Sequence, residues 1–358
     1  MTHTLESLGW TPELTIEFEP HLASGLVPGR VAVQHRGQYE VLGEAGELRA
    51  DVAGRLLHES ATDAELPVVG DWVALAPRPD EGAGTIHAVL PRRTRISRKT
   101  TWLATTEQVL AANIDSVLLT TSLNEDYNLR RLERYLTIAW DSGADPVVVL
   151  TKADLHPDPE AARAEVEAIA YGVPVIVVSA RSGEGLDEVA AIVRPGRTLV
   201  LLGSSGVGKS TLVNTLAGEE LLATNELRGD GRGRHTTTHR ELVRLPTGGL
   251  VIDTPGLREL QLWDASQGLG ETFEDITSLF ADCRFTDCAH DREPGCAVRA
   301  ALHDGTLEPA RWESYQKLQR ELEHLERRLD KRLQSEARKE WAKRGAAGRE
   351  AMRLKGRR

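Results

Sequence analysis

The chain has 358 residues, 40% hydrophobic and 27% charged, with a formal net charge of −10. That length allows two or three domains, each with its own buried core. No run approaches the roughly 18 apolar residues of a membrane span, and the acidic total argues against a protein that coats nucleic acid over its whole surface, leaving room for a local basic patch. Residues 1–24 are polar without a clear period and read as an N-terminal arm. The opening MTHTLESLGWTPEL has neither the basic nor the apolar region of an export signal, which predicts a cytoplasmic protein. From 25 to 98 the pattern turns to short runs divided by turn residues: Arg30–Val33, Gln38–Leu42, Glu47–Val52, Asp71–Leu75 and Gly84–Val89. Five short strands in that space predict an OB-fold β-barrel. Its candidates for nucleic-acid contact are His35, Arg36, Tyr39, Arg55 and the run Arg92–Lys99, where cations can hold a backbone and an aromatic ring can stack a base. After Lys99 strands alternate with helices: strand Ile114–Thr120, helix Leu129–Ala139, strand Pro146–Leu150, helix Glu160–Ala170, strand Val173–Val178, helix Gly185–Val193 and strand Leu199–Leu202. That alternation predicts a parallel, doubly wound sheet with ligands at the strand carboxyl ends.

The last of those strands runs into Gly203-Ser204-Ser205-Gly206-Val207-Gly208-Lys209-Ser210, and a helix follows from Thr211. This is G-x-x-x-x-G-K-[ST] in its required strand–loop–helix setting. The glycines let successive N–H groups turn inward at a helix N-terminus, where anions are favoured. Lys209 would reach the β and γ phosphates, and the Ser210 hydroxyl would ligate Mg²⁺. Three more motifs end strands. Thr151-Lys152-Ala153-Asp154 offers a carboxylate that can accept from both N1–H and the 2-amino group of guanine, while adenine presents the wrong edge. Ser179-Ala180 can give backbone N–H groups to the guanine carbonyl. Asp253-Thr254-Pro255-Gly256 supplies a carboxylate near Mg²⁺, through water, and a glycine N–H for the γ-phosphate.

In an ordinary small GTPase the phosphate loop comes first and the base-reading motif last. Here Thr151–Asp154 and Ser179-Ala180 precede the phosphate loop, so the same site is built from a circularly permuted chain. On these motifs the chain resembles the ribosome small subunit-dependent GTPase A family, over about residues 25 to 300. The resemblance implies GTP hydrolysis stimulated by the small ribosomal subunit, contact with that subunit and its 16S rRNA, and a role late in its maturation. Thr151 stands where many relatives have Asn, so one loop-bracing hydrogen bond is expected to differ. Residues 223–238 (ATNELRGDGRGRHTTT) occupy the switch I position. Thr236 or Thr237 is the candidate to close on Mg²⁺ and the γ-phosphate. Leu257 follows Gly256, where an ordinary GTPase often has a water-orienting Gln; His235 is the polar candidate to replace it, and intrinsic turnover is expected to be slow.

All three cysteines lie between Cys283 and Cys296. Cys283, Cys288, His290 and Cys296 form C-x4-C-x-H-x5-C, a donor set for one closed, structural Zn²⁺. From Pro309 a helix is expected to dock Trp312, Tyr315, Leu318, Leu322, Leu325, Leu329 and Leu333 on the zinc segment. Residues 327–358 carry thirteen Lys/Arg against four Asp/Glu, a basic tail suited to phosphate contacts. The expected architecture is multidomain α/β: arm 1–24, OB-fold barrel 25–98, permuted P-loop GTPase domain 99–262, mostly helical zinc-binding domain 263–326 and tail 327–358. The expected partners are GTP or GDP with Mg²⁺ and the small ribosomal subunit, with no membrane and a monomeric chain. The alternatives are an RNA-binding checkpoint protein that uses GTP only as a slow switch, and an ATPase or small-molecule kinase, against which Asp154 speaks.

Overall fold

The computed structural model describes residues 4–35, 37–99, 107–222, 240–253 and 265–327. Strands β1 (Val27–Gln34), β2 (Tyr39–Gly43), β3 (Gly46–Val52), β4 (Trp72–Arg78) and β5 (Ala83–Val89) join in the order β1-β2-β3-β5-β4, and β4 pairs back on β1. The closure removes the open edges of a small sheet. Alternate positions point inward, so Val31, Tyr39, Val41, Leu48, Ala50, Val73, Leu75 and Ile86 form the barrel core. This is the expected barrel.

The stretch read as an aperiodic arm contains helix α1 (Pro12–Leu22), and α2 (Gly54–Glu59) follows β3. Leu14 and Phe18 of α1 pack with Leu8, Trp72, Ala74 and Leu90, and Trp10 stands edge-on to Trp72 at 4.8 Å. Two buried positions are too few to leave a period in the sequence, and Ile16, 67% exposed, blurs it further.

Hairpin β6 (Arg95–Lys99)–β7 (Glu107–Ala112) then leads to strands β8 (Ser116–Ser122), β9 (Asp145–Thr151), β10 (Val175–Val177), β11 (Thr198–Leu202), β12 (Arg240–Arg244) and β13 (Leu250–Asp253). Their order is β10-β9-β8-β11-β13-β12, parallel except for β12. β12 also pairs antiparallel with β1, Val33 opposite Glu241, so barrel and sheet share one hydrogen-bonded ladder. β12 has no hydrophobic run to announce it, since Arg240-Glu241-Leu242-Val243-Arg244 is mostly charged, and β6 is likewise polar, while β7 carries the short buried run Val109–Ala112. Alternate residues of the sheet feed two cores, Leu119, Val148, Val200 and Ile252 on one face and Leu118, Val149, Leu201 and Val251 on the other. Helices α3 (Leu129–Asp141), α4 (Pro159–Glu167), α5 (Leu186–Ile192) and α6 (Lys209–Ala217) cover them, as a doubly wound sheet requires. Among the described residues, no helix is long and apolar enough to cross a membrane.

The remaining described chain is helical: α7 (Ser266–Thr272), α8 (Glu274–Thr277), α9 (Ala297–Asp304) and α10, helical from 309 through 327. α7 lies so close to α3 that a Cβ on Gly268 would run into the Thr137 carbonyl. Tyr315, Leu318, Leu322 and Leu325 of α10 are buried, while Leu329, Leu333 and the tail lie outside the described residues. A charged cluster locks this region to α3. Glu133, fully buried, accepts from Arg311 Nη1 at 2.9 Å and Ser314 Oγ at 2.5 Å, and it also meets Arg130. Arg311 donates as well to Asp275 at 2.7 and 2.9 Å and to the Thr272 carbonyl. Changing Glu133 to alanine leaves Arg311 with Asp275 and the Thr272 carbonyl alone and the Ser314 hydroxyl without its acceptor, which is expected to destabilise the protein by about 1–3 kcal/mol in denaturant unfolding. A loss below about 1 kcal/mol would mean that water already reaches the cluster.

Candidate functional site

Because β8, β9, β10, β11 and β13 are parallel, their carboxyl ends open on one edge of the sheet. The phosphate loop leaves β11 there. Gly203, Gly206 and Gly208 take φ of 155°, 80° and 99°, values an L side chain resists, and a Cβ on Gly203 would meet the Thr120 carbonyl. No side chain caps α6, so its first N–H groups remain directed at the loop. Val207 is buried beneath it. Lys209 Nζ donates to the carbonyls of Gly203 at 2.8 Å and Ser204 at 2.7 Å, which places the ammonium across the mouth of the cradle.

Thr151 ends β9 with its hydroxyl 2.5 Å from the Val207 carbonyl and 3.2 Å from that of Thr121. A shorter side chain than Asn therefore still ties the base-reading turn to the phosphate loop. Lys152 sits in the left-handed region at φ 56°, and its Nζ donates to the Gly206 carbonyl at 2.7 Å. Asp154, in the turn after β9, accepts from Ser179 Oγ at 2.8 Å. The Ser179 backbone N–H donates to the Glu184 carbonyl at 3.0 Å. That corrects one expectation. The Ser179 amide is committed to its own loop, so of the Ser179-Ala180 pair only the Ala180 amide is left to meet a base carbonyl, and Ser179 acts through its hydroxyl on Asp154.

Ser210 lies in the first turn of α6 and Asp253 ends β13, next to β11. Both offer oxygen, the donor Mg²⁺ takes. Ser205 and Thr211 sit within the loop and the helix as their spacing predicts. His235, Thr236, Thr237, Gly256 and Leu257 lie outside the described residues. The sequence motifs miss one contact: Arg131 of α3 donates to Ser204 Oγ. No local signal marks it, because its partner is 73 positions away.

The second cluster sits under α10. Ligand atoms of Cys283, Cys288, His290 and Cys296 lie within 4.8 Å of one another. Cys283 Sγ and Cys296 Sγ are 3.6 and 3.5 Å from His290 Nδ1. A tetrahedral Zn²⁺ with bonds of about 2.3 Å to sulfur and about 2.0 Å to nitrogen has S···N edges of about 3.5 Å. The residues fit that ion, and with four donors no position is left open. Burial holds His290 below the ordinary imidazole range, in the neutral form that ligates. Burial, together with the sulfurs of Cys296 and Cys283, pushes Cys288 up to about 11, so that thiol gives up its proton when a cation enters. His290 stacks on Phe280 at 4.3 Å and meets the edge of Trp312 at 5.9 Å, which seats α10 on the cluster.

Two of the barrel's expected nucleic-acid contacts, Tyr39 and Arg92, are turned inside the protein, while Arg55, Arg93, Arg95 and His35 keep exposed side chains in surface ion pairs. Tyr39, 4% exposed, is a core residue because strand alternation turns it inward. Arg92 forks onto Asp71 at 2.7 and 2.8 Å and also binds the carbonyls of Ala64 and Leu66. Arg95 pairs with Glu107, Arg98 with Gln108, Arg93 with Asp115, Arg55 with Glu59 and His35 with Glu40. Arg36 lies outside the described residues.

A family model described as RsgA GTPase matches residues 89–263. A second, described as a 50S ribosome-binding GTPase, matches 198–332; it begins at β11 and so excludes the base-reading motifs that precede the phosphate loop. The small ribosomal subunit biogenesis GTPase RsgA of Opitutus terrae is 52% identical over 99% of both chains. That of Streptomyces coelicolor is 48% identical over 98% of this chain and 95% of its own. Among solved structures, YjeQ from Thermotoga maritima superposes with a TM-score of 0.62 at 27% identity, covering 83% of this chain and 98% of its own. YloQ, described as a circularly permuted GTPase, gives 0.60 at 25% identity over 84% and 96%. Motif order, strand order and full-length relatedness agree: the chain is a circularly permuted GTP hydrolase and belongs to the RsgA GTPase family.

Proposed function

We propose that this GTPase acts in biogenesis of the small ribosomal subunit, binding the subunit and its 16S rRNA with GTP in place late in maturation and leaving after hydrolysis. The observation that carries the nucleotide part is the meeting of Asp154 with Ser179 on the same sheet edge as the phosphate loop; the subunit comes from the names of the full-length relatives. Asp154 accepts from N1–H and the 2-amino group of guanine while Ser179 holds its carboxylate, and the Ala180 amide meets the base carbonyl. Lys209 moves from the Gly203 and Ser204 carbonyls to phosphate oxygens, and the amides of residues 204–211 surround the β-phosphate. Ser210, Asp253 and either Thr236 or Thr237 would hold Mg²⁺, which neutralises charge on the phosphates. Gly256 presents its amide to the γ-phosphate, and His235 orients the water that Leu257 cannot. The Zn²⁺ is structural, and the protein works as a cytoplasmic monomer with domains at 25–98, 99–262 and 263–326.

GTP turnover with and without purified small subunits tests this reading. Stimulation by small but not large subunits is expected, with His235→Ala losing it by about a hundredfold while still binding GTP. Equal stimulation by large subunits, or none by either, overturns the subunit assignment. Leu257 favours one rival, a checkpoint protein with GTP as a slow switch; subunits would then change nucleotide affinity and leave kcat alone.

A further inference from the structure

Arg131 lies in the first turn of α3, and its Nη1 makes two contacts, one with Asp126 Oδ1 at 2.6 Å and one with Ser204 Oγ. Ser204 is the second residue of the phosphate loop, and its carbonyl is an acceptor of Lys209. One loop residue thus joins a side-chain tie to α3 with a backbone tie to the lysine that must move to the phosphates.

The support behind Arg131 is stiff. Its backbone N–H donates to the capping Asn128 at 3.0 Å, and Asn124 Oδ1 accepts from Ser122 Oγ at 2.8 Å and from the Asp126 amide at 3.1 Å, ordering the turn before the helix. Two and three residues further along α3, Glu133 holds Arg311 and Ser314, and Arg134 forks onto Glu321 with two bonds of 2.8 Å. A half-exposed ion pair between Arg131 and Asp126 alone would contribute little. Its weight comes from the same nitrogen also gripping the phosphate loop.

We propose that Arg131 is a positioning residue for GTP hydrolysis: from the anchored helix α3 it fixes Ser204, and with it the stretch of loop backbone that faces the phosphates. When Lys209 leaves the Ser204 carbonyl for phosphate oxygens, the Arg131 contact is the tie that keeps this end of the loop in place. Small displacements of a positioned group cost far more in rate than in binding. The inference rests on the GTPase reading given above.

The test is intrinsic GTP turnover by the full chain carrying Arg131→Ala, Ser204→Ala or both, with GDP affinity and melting temperature measured alongside. Arg131→Ala and Ser204→Ala are each expected to lower kcat about tenfold, with KM and GDP affinity nearly unchanged, and the double variant to be no slower than Arg131→Ala. Unchanged kcat in either single variant, losses that multiply in the double, or a loss carried by KM alone overturns the proposal. Should Arg131→Ala fail to fold, Ser204→Ala decides by itself, since it removes only the acceptor. Turnover by the unaltered protein reports on the GTPase reading, and the ratio of variant to unaltered kcat reports on Arg131.

Discussion

Asp154→Ala is expected to weaken GTP and GDP binding by about four orders of magnitude while leaving the fold intact. The carboxylate can accept two hydrogen bonds from guanine, and Ser179 Oγ, 2.8 Å away, holds it in orientation. Removing it loses both bonds and leaves the Ser179 hydroxyl without its acceptor. Its place in a short turn on the surface, away from the sheet cores, keeps the stability effect small. Asp154→Asn is the sharper variant. Its amide presents a donor where the 2-amino group of guanine also donates, so the variant is expected to prefer xanthine nucleotides, whose 2-carbonyl accepts. Competition of labelled GDP by GDP, ADP and XDP reads both effects. If ADP competes with the unaltered protein as well as GDP does, Asp154 is no base filter.

Removing metal is expected to have the largest effect on stability. The cluster has one buried cysteine, Cys296, and a loop with little apolar surface of its own; zinc sites of this donor set contribute roughly 10 kcal/mol or more to folding of their segment. Stripping the ion should therefore release residues 283–296 and the Trp312 face of α10 that rests on His290. The expected readout is loss of near-ultraviolet dichroism and rapid proteolysis near residue 290, with one equivalent of zinc recovered. Cys288→Ser should reproduce this without chelator. GDP binding is expected to survive, because the phosphate loop and Asp154 belong to the sheet edge and share no residue with the cluster. A chelated protein with an unchanged melting curve and no zinc in the eluate would show that the thiols fold without a cation.

The parts of this protein that were legible in the sequence are those whose chemistry is written in consecutive residues. Gly203–Ser210 must bend where it does because its glycines alone tolerate φ of 155°, 80° and 99°. The order of the strand-end motifs determined the permuted topology, and the spacing of three cysteines and one histidine determined the cluster of four ligand side chains. Alternation marked the strands with buried faces and was silent for β12, which is paired between two neighbours yet mostly charged. Only the tertiary structure could assign Arg92 to Asp71, since composition shows a cation and never its partner. Only it could give the Ser179 amide to Glu184 and the Thr151 hydroxyl to Val207. The tie of Arg131 to Ser204 and the grip of Glu133 on Arg311 join positions 73 and 178 residues apart. Backbone chemistry acts within a few residues and can be read along the chain; side-chain pairing acts within a few ångströms, and folding decides which residues those are.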